Sequence, residues 1–397
     1  MQYLLPDLDM YEENETELIE DLEAVDSTIF SQAVVFGTDW TTDTIVRQVT
    51  KGNIVLDPEF QRRDAWSRKR KSNFIESVFL GLPIPQLVLA ESKEGRGKYL
   101  VIDGKQRLLS LMQFYEFDGY NSLKLSGLEL LPELNNKTLC LIKNDVMFDS
   151  LVSSFENQPI RTVVIKNWKD ESLLYHIFLR LNTGSVGLSP QELRQALHPG
   201  PFVSFVDKCS MDSVSLRVIY DSKKPDFRMR DVELLIRFYA FRYFISDYSG
   251  NLKKFLDNTC KILNNKWSED EDVIKSLVDD FEAACGCVFR MFGDSSFKKW
   301  LGDKYERKFN KAIFDFLVYY FSFEKVRVRL IGKEDAIVSA FKKLFQENDE
   351  FVQSVERTTK SISATSLRLS VWGRVLADII GSDVIEVPTL RAGQGGE

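Results

Sequence analysis

The sequence predicts an α+β protein in two parts: an N-terminal domain that combines a small sheet with helices, and an all-α C-terminal domain. Three observations predict this division. Short apolar runs bounded by turn residues, which are typical of strands, occur between residues 86 and 165. From residue 230 onward, apolar residues recur at three- and four-residue steps, the spacing of a buried helix face. Pro199-Gly200-Pro201 separates the two patterns and marks the expected domain boundary.

We expect four segments: an acidic N-terminal arm (1–46), the N-terminal domain (47–198), a helical domain (199–385) and a flexible tail (386–397). The first 46 residues contain no Lys or Arg, and Glu12–Glu23 is an acidic run. Two interpretations of the arm stay open. It is either a solvated lead-in or a shield over a basic groove that a nucleic acid displaces.

Each expected element follows from periodicity and from capping residues. In the N-terminal domain the strands are Gln86–Ala90, Tyr99–Ile102 and Ile160–Ile165, and the helices are Thr41–Lys51, Ser72–Leu80, one from Lys105, Asp170–Leu181 and one from Pro190. Ser189-Pro190-Gln191-Glu192 is a capping box with proline at the first helical position. In the C-terminal domain the helices are Arg230–Tyr243, Leu252–Leu263, Glu269–Phe292, Tyr305–Phe323, Lys333–Asn348 and Ser363–Ile380.

Composition excludes several classes of protein. The chain has 397 residues, enough for two domains, and only two histidines. Two histidines argue against a histidine metal cluster, a Ser-His-Asp triad and an HNH nuclease centre. The five cysteines are spread widely and are expected to be buried free thiols. A net charge of −7 argues against a surface that is basic overall, while a local basic groove stays compatible with it.

The sequence also predicts where the protein resides. No apolar run approaches the ~18 residues that a membrane span requires. The first residues lack the basic and apolar regions of a signal peptide. We therefore expect a cytoplasmic protein without a membrane partner; a homo-oligomer stays compatible with the sequence.

The stretch Tyr99–Phe114 is the candidate centre of the chain. It predicts a strand, a tight turn at Asp103-Gly104 and a helix from Lys105. A helix start presents unpaired N–H groups that suit a phosphate, and Arg107 offers a planar fork of donors. Asp103 could hold a metal-bound water or orient a nucleophile. The alternative is structural: an ordinary corner in which Asp103 caps the helix.

The most basic segment of the sequence precedes a helix. It contains Arg68-Lys69-Arg70-Lys71. A charge run of this kind is usually a solvated face, and here it could also face a DNA backbone.

Three sequence blocks resemble the GmrSD-type restriction-enzyme N-terminal domain family. Asp103-Gly104-Lys105-Gln106-Arg107 is similar to the family's Asp-Gly-Gln-Gln-Arg motif. The second block is Pro58–Trp66 followed by Gly81–Pro85, and the third is Phe178–Gly184 followed by Leu188–Arg194. The blocks span roughly residues 50–198 in the family's order, and their combination is specific.

The resemblance implies a ParB/sulfiredoxin-like fold with a small mixed sheet and a domain that binds and hydrolyses a nucleoside triphosphate with Mg²⁺. Catalysis would fall to Asp103, Gln106 and Arg107, with Asp103 as metal ligand. The implied nucleotide-binding residues are Gln61, Arg62, Gly104, Lys105, Arg180 and Asn182. For Arg180, Asn182 and Glu192 a structural role at the corner between two helices is an equal alternative. The resemblance also implies DNA, modified or foreign, as a partner in restriction or phage defence.

Two departures from the family matter. Lys105 stands where glutamine is common, and it could either strengthen phosphate binding or slow turnover. Many relatives carry an HNH nuclease, for which this chain lacks the histidines, so we expect a separate nuclease subunit. Three hypotheses stay open: a nucleotide-dependent sensor of a restriction system, a non-hydrolysing DNA-binding or adaptor protein, and a ParB-like nuclease or phosphotransferase.

Overall fold

The computed structural model describes residues 33–56, 63–93, 95–181, 189–222, 224–356 and 359–390. These residues form two compact units. The sheet unit comprises the described residues of 33–197 together with Asp226–Met229. The helical unit comprises the described residues of 198–225 and 230–390. The outer parts of the predicted arm and tail, residues 1–32 and 391–397, lie outside the described residues.

The described part of the sheet unit contains one mixed sheet. Its strands are β1 (Val34–Thr41), β2 (Ile54–Val55), β3 (Leu87–Glu91), β4 (Tyr99–Asp103) and β5 (Pro159–Lys166). The spatial order is β1-β5-β3-β4-β2. The β1–β5 and β3–β4 pairs are antiparallel, whereas β3–β5 and β2–β4 are parallel. The α+β class and the small mixed sheet are therefore confirmed, while the ParB/sulfiredoxin-like fold stays a prediction.

Seven described α-helices accompany this sheet: α1 (Thr42–Thr50), α2 (Arg68–Phe79), α3 (Lys105–Phe114), α4 (Leu139–Lys143), α5 (Asp149–Asn157), α6 (Glu171–Leu181) and α7 (Pro190–Leu197). The core lies where α1, α2, α3 and α5 meet, because these helices contact one another in pairs. Phe79, Phe114 and Phe155 stack and cross at its centre, with ring centroids 4.4–5.9 Å apart. This packing fixes α3, and with it the corner at Gly104.

Strand β1 was not anticipated by the sequence analysis, which placed these residues in the arm. It pairs with β5 along its whole length, from Val34 opposite Lys166 to Thr41 opposite Pro159. Val34, Val35 and Phe36 are all exposed, so the strand has no alternation between buried and exposed side chains at its start. Without that alternation, the usual sequence signal of a half-buried strand is missing.

The helical unit is built mainly from helices. They are α8 (Pro201–Asp212), α9 (Val214–Ile219), α10 (Arg230–Phe244), α11 (Leu252–Phe292), α12 (Lys311–Phe321), α13 (Glu324–Leu330), α14 (Glu334–Glu347), α15 (Asp349–Glu356) and α16 (Ile362–Ile380). Short 3₁₀ turns of the two units are Pro132–Leu134, Val146–Phe148, Ile245–Asp247, Gly293–Ser295 and Ser382–Val384. Helix α11 has 41 residues and is interrupted at Asp270, whose φ of −116° is not helical. Leu252–Phe292 thus consists of two helices that meet at a kink at Asp270, so the two predicted helices Leu252–Leu263 and Glu269–Phe292 are confirmed.

The prediction that this part is all-α was wrong. Strands β6 (Lys298–Trp300) and β7 (Tyr305–Phe309) form an antiparallel hairpin. Sequence reasoning assigned Tyr305 to the start of a helix, because β7 is short, rich in charge and without a clear apolar alternation. The rings of Trp300 and Tyr305, with centroids 4.9 Å apart, close the hairpin.

The interior of the helical unit contains a bidentate ion pair. Arg237 Nε and Nη2 donate to Asp315 Oδ1 and Oδ2 at 2.6 and 2.7 Å, and both side chains are buried.

Within the described part of the chain, no helix is both long and apolar enough to cross a membrane.

Candidate nucleotide site

The predicted strand–turn–helix corner has the expected form. Strand β4 ends at Asp103, Gly104 follows with φ of +103°, and α3 begins at Lys105. A side chain at Gly104 would be strained at this φ, and its Cβ would overlap Leu87 Cδ2. Glycine is therefore required here by both backbone conformation and space, because Leu87 occupies the position that a side chain would take.

Asp103 does not cap α3, in contrast to the structural alternative. The N-cap residue is Gly104, and no side chain caps the helix. Asp103 Oδ2 instead accepts from Arg107 Nη2 at 2.7 Å, and the same nitrogen donates to the Gln86 carbonyl at 3.1 Å. The first-turn N–H groups of Lys105, Gln106 and Arg107 have no acceptor within the helix, as in every helix. The corner thus presents backbone donors beside a carboxylate–guanidinium pair.

Lys105 is committed to an ion pair. Its Nζ donates to Glu192 Oε1 at 2.5 Å, and the side chains are only 5% and 7% exposed. Glu192 also completes the predicted capping box: its Oε2 accepts from the Ser189 N–H at 2.7 Å, and Ser189 Oγ accepts from the Glu192 N–H at 3.0 Å. The pair joins the start of α3 to the start of α7, and the charge of Lys105 is compensated inside the protein.

A cavity of about 280 Å³ opens at this corner, entirely within the sheet unit. Its lining comprises Ala65, Trp66, Arg70, Asn73, Phe74, Ser77, Pro85, Asp103, Gly104, Lys105, Gln106, Arg107, Glu192, Phe227 and Arg228. Four of these residues are cationic (Arg70, Lys105, Arg107 and Arg228) and two are anionic (Asp103 and Glu192), which gives a net formal charge of +2. The lining therefore favours an anion.

Three polar atoms of the lining are buried without a hydrogen-bond partner among the described residues. They are Trp66 Nε1, Gln106 Oε1 and Arg107 Nε. A buried polar group without a partner costs ~1–3 kcal/mol. Two donors and one acceptor at one cavity therefore leave hydrogen-bonding capacity that a polar ligand or water can satisfy.

An aromatic wall flanks the cationic part of the cavity. Trp66 and Phe74 pack edge to face with centroids 5.9 Å apart, and the Arg70 guanidinium lies 4.8 Å from the centre of the Trp66 ring. Arg70 thus belongs to the cavity lining, although the sequence analysis assigned it to a DNA-facing surface.

The other residues of the basic segment have different surroundings. Arg68 Nε donates to the Lys124 carbonyl at 2.5 Å and is exposed, and Lys69 is exposed with its Nζ 3.9 Å from Glu129. Lys71 differs from the prediction of an exposed, DNA-facing residue. It is buried, and Nζ donates to Asp64 and, at 2.6 Å, to Gln113 Oε1. Burial lowers the pKa of Lys71 to about 8.

Of the remaining predicted nucleotide-binding residues, the structure describes Arg180. Arg180 is exposed near the end of α6 and is absent from the described lining residues. Gln61, Arg62 and Asn182 lie outside the described residues.

Among the lining residues that were not predicted from the sequence, Phe227 and Arg228 are the most distant from the motif. They are more than 100 residues from the motif in sequence and lie in no expected element, so only the folded chain brings them there. The one sequence signal is a second basic position, Arg228, immediately before the predicted helix from Arg230.

Fold and cavity together define an α+β domain with a cavity of net positive formal charge at the corner between a strand and a helix. Residues 42–199 match the family model described as the GmrSD restriction endonuclease, N-terminal domain. The match covers less than half of the 397 residues, and it confirms the resemblance predicted from the three sequence blocks. No curated protein and no solved structure matches the chain significantly.

Proposed function

We propose that this protein is a nucleotide-binding and nucleoside-triphosphate-hydrolysing sensor subunit of a DNA restriction or phage-defence system, acting with a separate nuclease. The family match supports the biological context. One observation carries the chemistry: the cavity at Gly104 is net positive and has three buried polar atoms without described partners. A polyphosphate offers both the negative charge and the acceptor oxygens that such a lining would bind.

The residues present fit a triphosphate. Gly104, Lys105, Gln106 and Arg107 line the cavity, so phosphate oxygens that enter it would meet the start of α3, where the first-turn N–H groups lie. Arg107 Nε is a guanidinium donor without a described partner and is suited to phosphate. The rings of Trp66 and Phe74 give the nucleoside an apolar, stackable surface.

The residues also fit a magnesium ion in a limited way. Mg²⁺ in nucleotide sites is held by one or two carboxylates plus phosphate oxygens and waters. Asp103 would hold it through the oxygen that does not accept from Arg107, since Glu192 is committed to Lys105 and Ser189. When bound, the ion would supply charge neutralisation and a fixed position for the phosphates.

The side chains of the corner then have distinct tasks in hydrolysis. Gln106 Oε1 accepts a hydrogen bond from the attacking water and orients it. Arg107 donates to the phosphoryl oxygens, where charge spreads as the terminal bond breaks. Asp103 positions the Arg107 guanidinium through the 2.7 Å contact and would be the carboxylate that holds the metal. Because phosphoryl transfer depends mainly on positioning and electrostatics, the proposed hydrolysis needs no covalent intermediate.

Lys105 acts as a positioning residue in this proposal. Its compensated charge contributes less to phosphate binding than a free ammonium would, while its pair with Glu192 holds the start of α3. The lysine in place of the family's glutamine is thereby accommodated by a buried carboxylate.

Phosphate release from each of the four nucleoside triphosphates, with Mg²⁺ and with or without modified DNA, tests the proposal. Asp103→Ala is expected to lower kcat by ~10²-fold or more, while helical content by circular dichroism is retained. Asp39→Ala is the matched control, since Asp39 is an exposed aspartate of the same unit that pairs with Arg161. Equal turnover in Asp103→Ala and the control would refute the site assignment.

A second candidate is a non-hydrolysing nucleotide- or DNA-binding adaptor. The observation that favours it is the internal compensation of the motif: Asp103 pairs with Arg107, and Lys105 with Glu192. Saturable triphosphate binding with no phosphate release, with or without DNA, would favour the adaptor. The exposed Arg68 and Lys69 are the candidate DNA contacts in either case, and Arg68→Ala/Lys69→Ala should weaken DNA binding and reduce its salt dependence.

A further inference from the structure

A four-residue segment far from the motif in sequence contributes to the cavity. Asp226–Met229 belongs to the sheet unit, although Pro225 and Arg230 on either side of it belong to the helical unit. The segment lies outside residues 42–199, which match the family model. Its contribution to the site is therefore a property of this chain that the family match does not cover.

The segment is held in place at both ends. Arg63, which is only 2% exposed, donates from Nη1 to the Asp226 carbonyl at 2.5 Å. The Met229 N–H donates to the same carbonyl at 3.1 Å, which closes a turn. The Met229 side chain is fully buried, and its φ of +56° is rare for a non-glycine residue. Such a backbone conformation persists only where the surroundings fix it, so the turn has a defined position.

The anchored turn brings a guanidinium to the cavity. Arg228 is half-buried and lines the cavity together with Asp103, Gln106 and Arg107. Its Cζ lies 5.5 Å from the centre of the Phe227 ring, which supports the long side chain. The other cations of the lining are Lys105 and Arg107, each paired with a carboxylate, and Arg70, which lies over Trp66. Arg228 is therefore one of four cations in the lining, and the one that comes from a separate segment of the chain.

We propose that Arg228 contacts the phosphates of the bound nucleotide and is a catalytic residue of this site. The inference rests on the proposed function. In phosphoryl transfer, a guanidinium supplied from a separate segment stabilises the charge of the transition state and contributes about 10³–10⁵ in rate in well-studied cases. The turn between Pro225 and Arg230 supplies such a guanidinium, fixed by Arg63 on one side and by the buried Met229 on the other.

The test compares the full-length wild type with Arg228→Ala and Arg228→Lys. Arg96→Ala is the matched control, since Arg96 is an arginine of the same unit that lines a different cavity. Binding of the Mg²⁺ complexes of the four nucleoside triphosphates, and of inorganic tripolyphosphate, is measured by titration calorimetry. kcat and KM follow from phosphate release, and the melting temperature of each variant reports folding.

We expect Arg228→Ala to lower kcat/KM by ~10²-fold or more relative to the control, with an unchanged melting temperature. Arg228→Lys should restore part of the loss, because it returns the charge without the planar fork. A rise in KM or in Kd with an unchanged kcat would show that Arg228 contacts the phosphates already in the ground state, and would still support the proposed contact. Values for Arg228→Ala within about two-fold of the control overturn the inference while leaving the proposed function intact. A wild type that neither binds nor hydrolyses any probe overturns both.

Discussion

The buried pair of Lys105 and Glu192 makes Glu192→Gln a severe substitution. The paired atoms are 2.5 Å apart, and the side chains are 5% and 7% exposed. Removing one partner leaves a buried charge without compensation, which costs about 3–5 kcal/mol. Glutamine keeps an oxygen that can accept from the Ser189 N–H, so loss of the helix cap contributes little. The expected loss in the free energy of unfolding is therefore about 3–5 kcal/mol.

Urea unfolding of the full-length chain, followed by circular dichroism, measures this loss. The matched control is Glu156→Gln, because Lys143 and Glu156 are also 2.5 Å apart but are 41% and 31% exposed. An exposed pair contributes at most about 1 kcal/mol. The double variant Lys105→Met/Glu192→Gln should recover part of the stability, since no buried charge is left unpaired. A loss in Glu192→Gln no greater than in Glu156→Gln would refute the reasoning.

Three further predictions concern backbone, titration and the helical unit. Gly104→Ala should lower the free energy of unfolding by ~2–4 kcal/mol, because of the positive φ at this position and the overlap of the added Cβ with Leu87. The control is Gly52→Ala, which has a positive φ but no neighbour within 4 Å and should cost only ~1–2 kcal/mol in the same urea assay. Equal losses in the two variants would show that the overlap with Leu87 does not contribute. Burial lowers the pKa of Lys71 from 10.5 to about 8, so between these values the unfolded chain binds more protons and folding gains stability as pH rises. The free energy of unfolding of the wild type minus that of Lys71→Met, measured by urea unfolding, should thus be greater at pH 10 than at pH 8. The same difference at both pH values would contradict this prediction. Asp315→Asn, which leaves the buried Arg237 without its carboxylate, should cost about 3–5 kcal/mol by urea unfolding, and a loss below ~1 kcal/mol would show that the pair is dispensable.

Local signals predicted the centre of the candidate site well. The apolar run before Asp103, the turn glycine and the helical spacing after Lys105 identify a strand, a turn and a helix, because each depends on adjacent residues. The capping box at Ser189 is equally local, and the structure contains it as predicted. Residues close in sequence thus fixed the geometry of the corner.

Contacts between distant residues were beyond local signals. Glu192 was recognised as a cap but not as the partner of Lys105, which is 87 positions away. Arg228 reaches the cavity only through the anchored turn, and Lys71 is buried although it lies in the most basic segment. Strand β1 and the hairpin of β6 and β7 were also not predicted, because their sequences lack a clear apolar alternation. These strands are defined by hydrogen bonds to partner strands rather than by a buried face, and local sequence does not show such partners.

A crystal structure of the protein with Mg²⁺ and a non-hydrolysable triphosphate, chosen by the largest rise in melting temperature among the four nucleotides, tests the central claim most directly. The account predicts phosphate oxygens within hydrogen-bonding distance of the N–H groups that follow Gly104 and of the Arg107 guanidinium. A triphosphate bound elsewhere on the protein, with this cavity closed by its own side chains, would contradict it.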